Sequence, residues 1–228
     1  RTVSPAPPAA IDPPGTHRPP GDSVIAPGVD ARRAEFAAKT ARIRALMVER
    51  GWDRLAIGTI ATFAWATAGG RSYINTFDTS GVATLLYSAE RVEVLTSNVE
   101  MPRLEQDELA GLPVEYRVID WTDMFFNGPA RIREAAGEGV LAIDIAIDGA
   151  VPADGLTDLR AALVPEEVVR MRALAADTAA ALEQVARALE PGQTEERIAA
   201  DVRAALGDRG VLSPVTLVAT DRRVFDHR

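Results

Sequence analysis

The stretch that decides the fold begins with Pro165-Glu166-Glu167-Val168-Val169-Arg170-Met171-Arg172. Its proline suits the first turn of a helix, and its two glutamates complement the positive end of the helix dipole. Apolar or small residues then recur every three or four positions, which predicts one long amphipathic helix with a core-facing stripe. The stripe comprises Met171, Leu174, Ala175, Thr178, Leu182, Val185 and Leu189.

A second helix follows the turn Pro191-Gly192-Gln193-Thr194-Glu195-Glu196. Thr194 is placed to cap it, Gly210 follows its end, and Val215–Ala219 is predicted to be a buried strand that leads to Asp221-Arg222-Arg223. Two helices and one strand cannot enclose a core alone. The segment 165–228 is therefore predicted to begin a second domain that needs more chain.

Residues 1–29 have a different composition from the rest of the chain. They contain eight prolines, which lack the backbone donor that a helix requires, and they offer few large apolar side chains. We expect a disordered extension rather than a proline-motif ligand.

Residues 30–164 alternate predicted strands with predicted helices, which indicates an α/β domain with a mixed sheet. Asp30 is predicted to cap a first helix that ends at Gly51, with Phe36, Ile43, Leu46 and Met47 on one face. The expected strands are Arg54–Ile60, Val82–Tyr87, Val92–Thr96, Val114–Ile119 and Gly139–Ile147, the second and third forming a hairpin. The other expected helices are Met101–Leu109, Ala130–Ala136 and Gly155–Ala162, and Thr62–Gly70 is a small-residue segment ending in a tight turn.

The composition excludes several classes of function. The 228 residues include 33 acidic and 25 basic ones, so a net charge of −8 argues against nucleic acid as a partner. No apolar run reaches the roughly 20 residues that cross a bilayer, so we expect no membrane association. No export signal is apparent, and the absence of cysteine excludes disulfides and fits a cytoplasmic protein.

The order of these motifs resembles that of the metallopeptidases that include Xaa-Pro aminopeptidase, prolidase and creatinase. The helix with Glu167…Met171-Arg172, the turn Pro191-Gly192-Gln193-Thr194-Glu195 and Asp221-Arg222-Arg223 are similar to the start of their "pita-bread" catalytic domain. Upstream, the similarity to a creatinase-type N-terminal domain rests on Phe63-Ala64-Trp65…Gly69-Gly70, Gly81-Val82-Ala83 and Thr96-Ser97-Asn98-Val99-Glu100…Arg103-Leu104. The resemblance covers about residues 30–228.

The resemblance implies a full-length parent that binds a short peptide and a pair of divalent metal ions, Mn²⁺, Co²⁺ or Zn²⁺. In that family two Asp, one His and two Glu hold the metals, and all five would follow this chain, so we expect no cofactor in the chain itself. In that family a substrate-contacting histidine lies shortly after the D-x-R sequence. The preferred register places it after Arg228, and a register shifted by two residues makes His227 the candidate.

Other polar residues have plainer explanations. The pairs Glu166-Glu167 and Glu195-Glu196 lie at predicted helix starts, where the dipole accounts for them. Asp144 and Asp148 are expected to cap a strand and its turn, and the remaining histidine, His17, lies in the tail. No partner is identified for the predicted loop residues Asp78 and Asp123. By the resemblance, four residues of the N-terminal domain are candidates for walling a neighbouring subunit's active site: Trp65, Tyr73, Asn75 and Phe77.

Two functions remain open from the sequence. The first is the N-terminal portion of a prolidase-like or Xaa-Pro aminopeptidase-like metallohydrolase, which is inactive without the chain that would follow and is expected to form a homodimer. The second is a non-catalytic dimerisation or binding module of the same fold.

Overall fold

The computed structural model describes residues 28–75 and 77–226. These form two compact units, which we call the sheet unit, residues 28–172, and the helical unit, residues 173–226. The predicted tail falls mostly outside the described residues, as do His17 and His227. In the described ranges no helix is long and apolar enough to cross a membrane.

The sheet unit is built on a six-stranded mixed sheet with the order β4-β3-β2-β1-β5-β6. The predicted hairpin is confirmed, because β2 and β3 pair antiparallel from Ala83↔Thr96 to Tyr87↔Val92. β1 is also antiparallel to β2, whereas the pairs β1–β5, β3–β4 and β5–β6 are parallel. The strands are β1 Arg54–Thr59, β2 Ser80–Tyr87, β3 Val92–Ser97, β4 Glu115–Ile119, β5 Leu141–Ile143 and β6 Val151–Pro152.

Helices cover both faces of this sheet, and each face has its own apolar core. On one face α1, Val29–Arg50, buries its predicted stripe of Phe36, Ile43, Leu46 and Met47. On the other, Ile132 and Ala136 of α4, Trp121–Ala136, pack with sheet residues such as Leu95. The remaining helices of the unit are α2 Ile60–Ala66, α3 Met101–Arg103, which continues as a π-helical turn over Leu104–Glu108, and α5 Leu156–Ala161.

Several predicted boundaries are wrong within the sheet unit. Gly28, not Asp30, occupies the N-cap of α1, and Asp30 lies in the first turn, where its charge faces the dipole. Most of the segment Thr62–Gly70 is helical, since α2 buries Phe63 and Trp65 against the core despite its small residues. α4 begins nine residues before the predicted Ala130–Ala136, because Asp120 caps it by accepting the amide of Thr122, and Pro129 is accommodated beside a kink at Asn127.

The predicted strand Gly139–Ile147 is much shorter in the structure. β5 ends at Ile143 because the next residue, Asp144, turns its carboxylate to the amides of Gly58 and Thr59 instead of continuing the ladder. The predicted helix Gly155–Ala162 is confirmed as α5.

The long helix is confirmed as α6, Pro165–Arg187, and the second as α7, Glu195–Gly207. Thr194 caps α7 as predicted, since its side chain accepts the amide hydrogen of Arg197. The predicted core-facing stripe of α6 is wrong in most positions: Met171, Leu174, Leu182 and Leu189 are exposed, and burial falls on Ala181 and Val185. These two form a small apolar cluster with Ala205 and Leu206 of α7.

The predicted strand Val215–Ala219 is wrong. The segment is irregular, with Val215 71% and Leu217 79% exposed, and α8, Arg223–Asp226, follows it. A strand needs a neighbour for its backbone hydrogen bonds, and no strand is present among the described residues of this unit to provide one.

Candidate functional site

A buried group of charged side chains lies where α1 meets the first turns of α6. Lys39, the one lysine in the sequence, is fully buried on α1. Its ammonium group donates to Glu35 Oε1 at 2.6 Å, to Glu167 Oε1 at 2.8 Å and to the Trp65 carbonyl oxygen at 2.7 Å. It also lies 5.3 Å from the centroid of the Trp65 ring. All the donor capacity of this lysine is therefore used inside the protein.

Arg170 completes the group. Its guanidinium donates two bonds of 2.7 Å to the carboxylate of Glu35, and Glu167 Oε2 accepts the amide of Val164 at 2.9 Å. Burial alone would raise the pKa of Glu35, but hydrogen bonds and charges from Arg170 and Lys39 outweigh it and lower the pKa. We call Glu35, Lys39, Glu167 and Arg170 the charge cluster. Two cations and two anions balance within it, which is the condition for burying such groups.

The charge cluster was missed by sequence reasoning. The helix dipole does not fully explain Glu167, because its carboxylate accepts a hydrogen bond from Lys39, which lies 128 positions earlier. The feature of the sequence that bears on it is that Lys39 is the single lysine among 25 basic residues. Because its groups satisfy one another, the cluster is suited to holding the first turns of α6 on α1 and leaves little capacity for a ligand.

A second feature is an open groove of about 410 Å³ on the sheet unit. Its walls include side chains that are unusually exposed for their size: Ile74 70%, Val99 62%, Trp121 52% and Phe125 77%. Phe126, 75% exposed, meets Phe125 edge to face with ring centroids 5.1 Å apart. We call this the aromatic groove; it is lined by Ile74, Gly81, Val82, Ser97, Val99, Glu100, Trp121, Met124 and Phe125.

The four predicted interface residues do not lie together on the surface. Trp65 is only 8% exposed and belongs to the core beside the charge cluster, so it is not available to a neighbouring subunit. Phe77 is 99% exposed, and the side chain of Asn75 accepts the amides of Phe77 and Asp78, which shapes the turn that presents this ring. Tyr73 is partly buried.

The second acidic pair also has a role beyond the dipole. Glu195 accepts the amide of Thr220 at 2.8 Å and pairs with Arg223 at 3.2 Å, so it fixes the irregular segment before α8 to the start of α7. Glu166 and Glu196 are exposed.

The described residues do not fit a metal centre. They include no group of three or more His, Cys, Asp or Glu side chains placed to hold a metal ion. Asp144 is engaged by Gly58 and Thr59, and the pKa of Asp123 is lowered by its hydrogen bonds to Arg131 and Asn127. His227, the substrate-proximal candidate, lies outside the described residues. No reaction step is therefore assigned to a metal held by this part of the chain.

Solved structures share this fold. They include the Xaa-Pro dipeptidase of Bacillus anthracis, with 17% identity, a TM-score of 0.55 and coverage of 76% of this chain and 49% of that one. The dipeptidase PepE of Mycobacterium ulcerans has 20% identity, a TM-score of 0.55 and coverage of 78% and 50%. The N-terminal domain of the FACT complex subunit SPT16 of Cicer arietinum has 15% identity, a TM-score of 0.51 and coverage of 78% and 51%.

These likenesses confirm the predicted fold class, an α/β arrangement of the kind found in prolidase and Xaa-Pro peptidase structures. At such low identity they establish the fold alone. The chain spans about half the length of the solved structures it matches. Neither a protein-family model nor a curated protein sequence matches the chain.

Proposed function

We propose that this chain is the N-terminal portion of a prolidase-like or Xaa-Pro aminopeptidase-like metallohydrolase. The observation that carries the proposal is the fold likeness to an Xaa-Pro dipeptidase and a second dipeptidase over about three quarters of the chain. The ordered motifs from Phe63 to Arg223 support the same assignment, because a shared fold without them would say little about chemistry.

The parent enzyme would hydrolyse a peptide bond in a short, proline-containing substrate with the help of two divalent metal ions. Two metals can hold a substrate carbonyl and a nucleophilic water between them, which is the use that hydrolases make of such a pair. The ligands would have to come from outside the described residues, since those residues bring no suitable group together. The sheet unit would serve the parent by shape and contacts rather than by chemistry.

We further propose that the parent is a cytoplasmic homodimer and binds neither nucleic acid nor membranes. Phe77, which is 99% exposed, is one side chain of the sheet unit that could contact a second subunit. A net charge of −8 is unfavourable for phosphate backbones.

The test is a hydrolysis assay of the 228-residue chain beside the longest polypeptide that its gene encodes. Each is assayed with Mn²⁺, Co²⁺ or Zn²⁺ on Gly-Pro, with Gly-Ala as the control dipeptide. We expect the longer polypeptide to cleave Gly-Pro in preference to Gly-Ala and to lose activity with a chelator, whereas the 228-residue chain neither cleaves nor retains stoichiometric metal. Cleavage by the shorter chain, or none by a longer one that binds two metal ions, would contradict the proposal.

The alternative function is a non-catalytic binding or dimerisation module. One observation favours keeping it: the same fold occurs in the N-terminal domain of a FACT complex subunit. The reading frame after Arg228 separates the two proposals, because a metallopeptidase of the resembled family would carry two Asp, one His and two Glu there. Loss of those residues, together with self-association in gel filtration, would favour the module.

A further inference from the structure

The first two turns of α6 are attached to the sheet unit with little apolar contact. Neither apolar cluster of the described sheet unit includes a residue from 165–172. Val169 is 65% exposed, and Val168 is partly buried. In the described ranges, the hydrogen bonds from this segment to other elements go to two side chains of α1, Glu35 and Lys39. Buried ion pairs, rather than a packed apolar core, therefore hold the segment.

The charge cluster divides into two neutral pairs. Glu35 and Lys39 both belong to α1, where they bond to each other at 2.6 Å, and Lys39 has the Trp65 carbonyl oxygen as a further acceptor. Glu167 and Arg170 both belong to α6 and lie three positions apart, the spacing at which opposite charges on a helix meet. Separating the two helices at this point leaves one cation and one anion on each side, so no charge loses every counter-ion.

The chain before α6 has a fixed point and a short irregular link. Arg42 of α1 donates to the carbonyl oxygens of Leu159 and Ala162, which secures the end of α5. Leu163 and Val164 follow outside any helix, and Leu163 is 49% exposed. Local opening of a folded protein occurs in segments with few buried apolar contacts. The start of α6 has that property, together with a link about which it can turn.

We propose that residues 165–172 form a latch that opens and closes over Lys39 while the sheet and both of its apolar clusters stay folded. In the closed form, Glu167 accepts from the Lys39 ammonium group, which is completely buried. In the open form that group is exposed to solvent and keeps its bond to Glu35. The open form is a minor population, because it lacks the three charge-assisted hydrogen bonds between α6 and α1.

The single lysine makes the latch directly measurable. The 228-residue chain is treated with an amine-acetylating reagent at pH 8, and peptide mass spectrometry follows acetylation of Lys39 separately from that of the terminal α-amino group. The rate is measured over a series of urea concentrations. The effect of urea on an opening reaction grows with the surface that the reaction exposes. We therefore expect a rate nearly independent of urea at low concentration and a steep rise where global unfolding takes over.

Two variants weaken the latch, and two neighbouring positions supply matched controls. Glu167→Gln and Arg170→Met each leave a charge of the cluster without its partner, and we expect the urea-independent rate to rise by about tenfold or more. Glu166→Gln and Arg172→Met remove the same charges from exposed positions in the same turns. These two controls should leave the rate close to that of the parent chain.

An acetylation rate that is undetectable below the unfolding transition, or that follows global unfolding at every urea concentration, would overturn the proposal. Lys39 would then become accessible only when the whole sheet unit unfolds. Equal acceleration by the control variants would also overturn it, because the effect would not depend on the charge cluster. The parent chain alone gives the first result, so the test does not require that a variant fold. Acetylation is read without peptidase activity, so the latch and the proposed function fail separately.

Discussion

At the residue scale, the balance of positive and negative charge in the charge cluster determines how much Lys39 contributes to the stability of the sheet unit. Removing its ammonium group leaves Glu35 and Glu167 buried with one cation, Arg170, for two carboxylates. An uncompensated buried charge is costly because neither water nor a counter-ion stabilises it. The ammonium group of Lys39 thus balances charge that would otherwise be buried without a counter-ion.

We therefore expect Lys39→Met to lower the free energy of unfolding by about 3–5 kcal/mol, measured by urea denaturation. Arg187→Met is the matched control, since Arg187 pairs with Glu183 on the exposed surface of α6, where water and salt screen the pair, and its effect on the free energy of unfolding should be much smaller. Equal effects of the two substitutions would show that the cluster contributes no more than a surface pair.

The lowered pKa of Glu35 makes the free energy of unfolding depend on pH in the acid range. A carboxyl group with a lower pKa in the folded than in the unfolded state stabilises the fold above its unfolded pKa, about 4.3, and this contribution is lost as the pH falls through the folded value. Between pH 6 and pH 3, the free energy of unfolding measured by urea denaturation should fall more steeply for the parent chain than for Glu35→Gln. Glu166→Gln replaces an exposed glutamate next to Glu167 in the sequence. In this variant the free energy of unfolding should fall with pH as steeply as in the parent chain.

At the element scale, the junction of β1 and α2 is stabilised by the side chain of Asp144, the residue that follows β5. Asp144 accepts the amides of Gly58 at 2.7 Å and Thr59 at 3.2 Å, together with the Thr59 hydroxyl. The carboxylate thus replaces the backbone partners that β1 lacks where its register with β2 shifts, between Ile57 and Thr59.

Asp144→Ala should lower the free energy of unfolding by about 1–3 kcal/mol, because it leaves partly buried amides without an acceptor. Asp148→Ala is the control from the same segment, at an exposed residue, and should change stability by less than about 0.5 kcal/mol. Hydrogen exchange should locate the loss at Gly58 and Thr59; unchanged protection there would contradict the assigned role.

At the scale of the whole molecule, the two units differ in their capacity to fold alone. The sheet unit contains both large apolar clusters and the complete charge cluster. The helical unit has a core of four buried residues, Ala181, Val185, Ala205 and Leu206. A core of that size is small for an independent domain.

We expect residues 28–172, expressed alone, to unfold cooperatively and to keep the near-ultraviolet circular dichroism of buried Trp65 and Tyr87. Residues 173–228 expressed alone should show reduced helicity and no cooperative transition, since isolated helices of 13 to 15 residues are marginal in water. A cooperative transition in the second fragment, or its absence in the first, would contradict this division of stability.

The sequence by itself determined features that depend on neighbours along the chain. The β2–β3 hairpin, the apolar stripe of α1 and the Thr194 cap were predicted because each signal lies within one turn or one pair of adjacent strands. The fold class followed from the alternation of such elements, and the solved structures confirm it.

Only the tertiary structure decided the contacts between distant residues. It brought Lys39 to Glu167 across 128 positions, gathered the aromatic groove from four separate segments, and left Val215–Ala219 irregular although its composition favours a strand. The residues that neutralise a buried charge or pair with a strand edge depend on how helices and strands pack. The local sequence does not predict that packing. The charge cluster and the groove could therefore be found in the fold and not in the motifs.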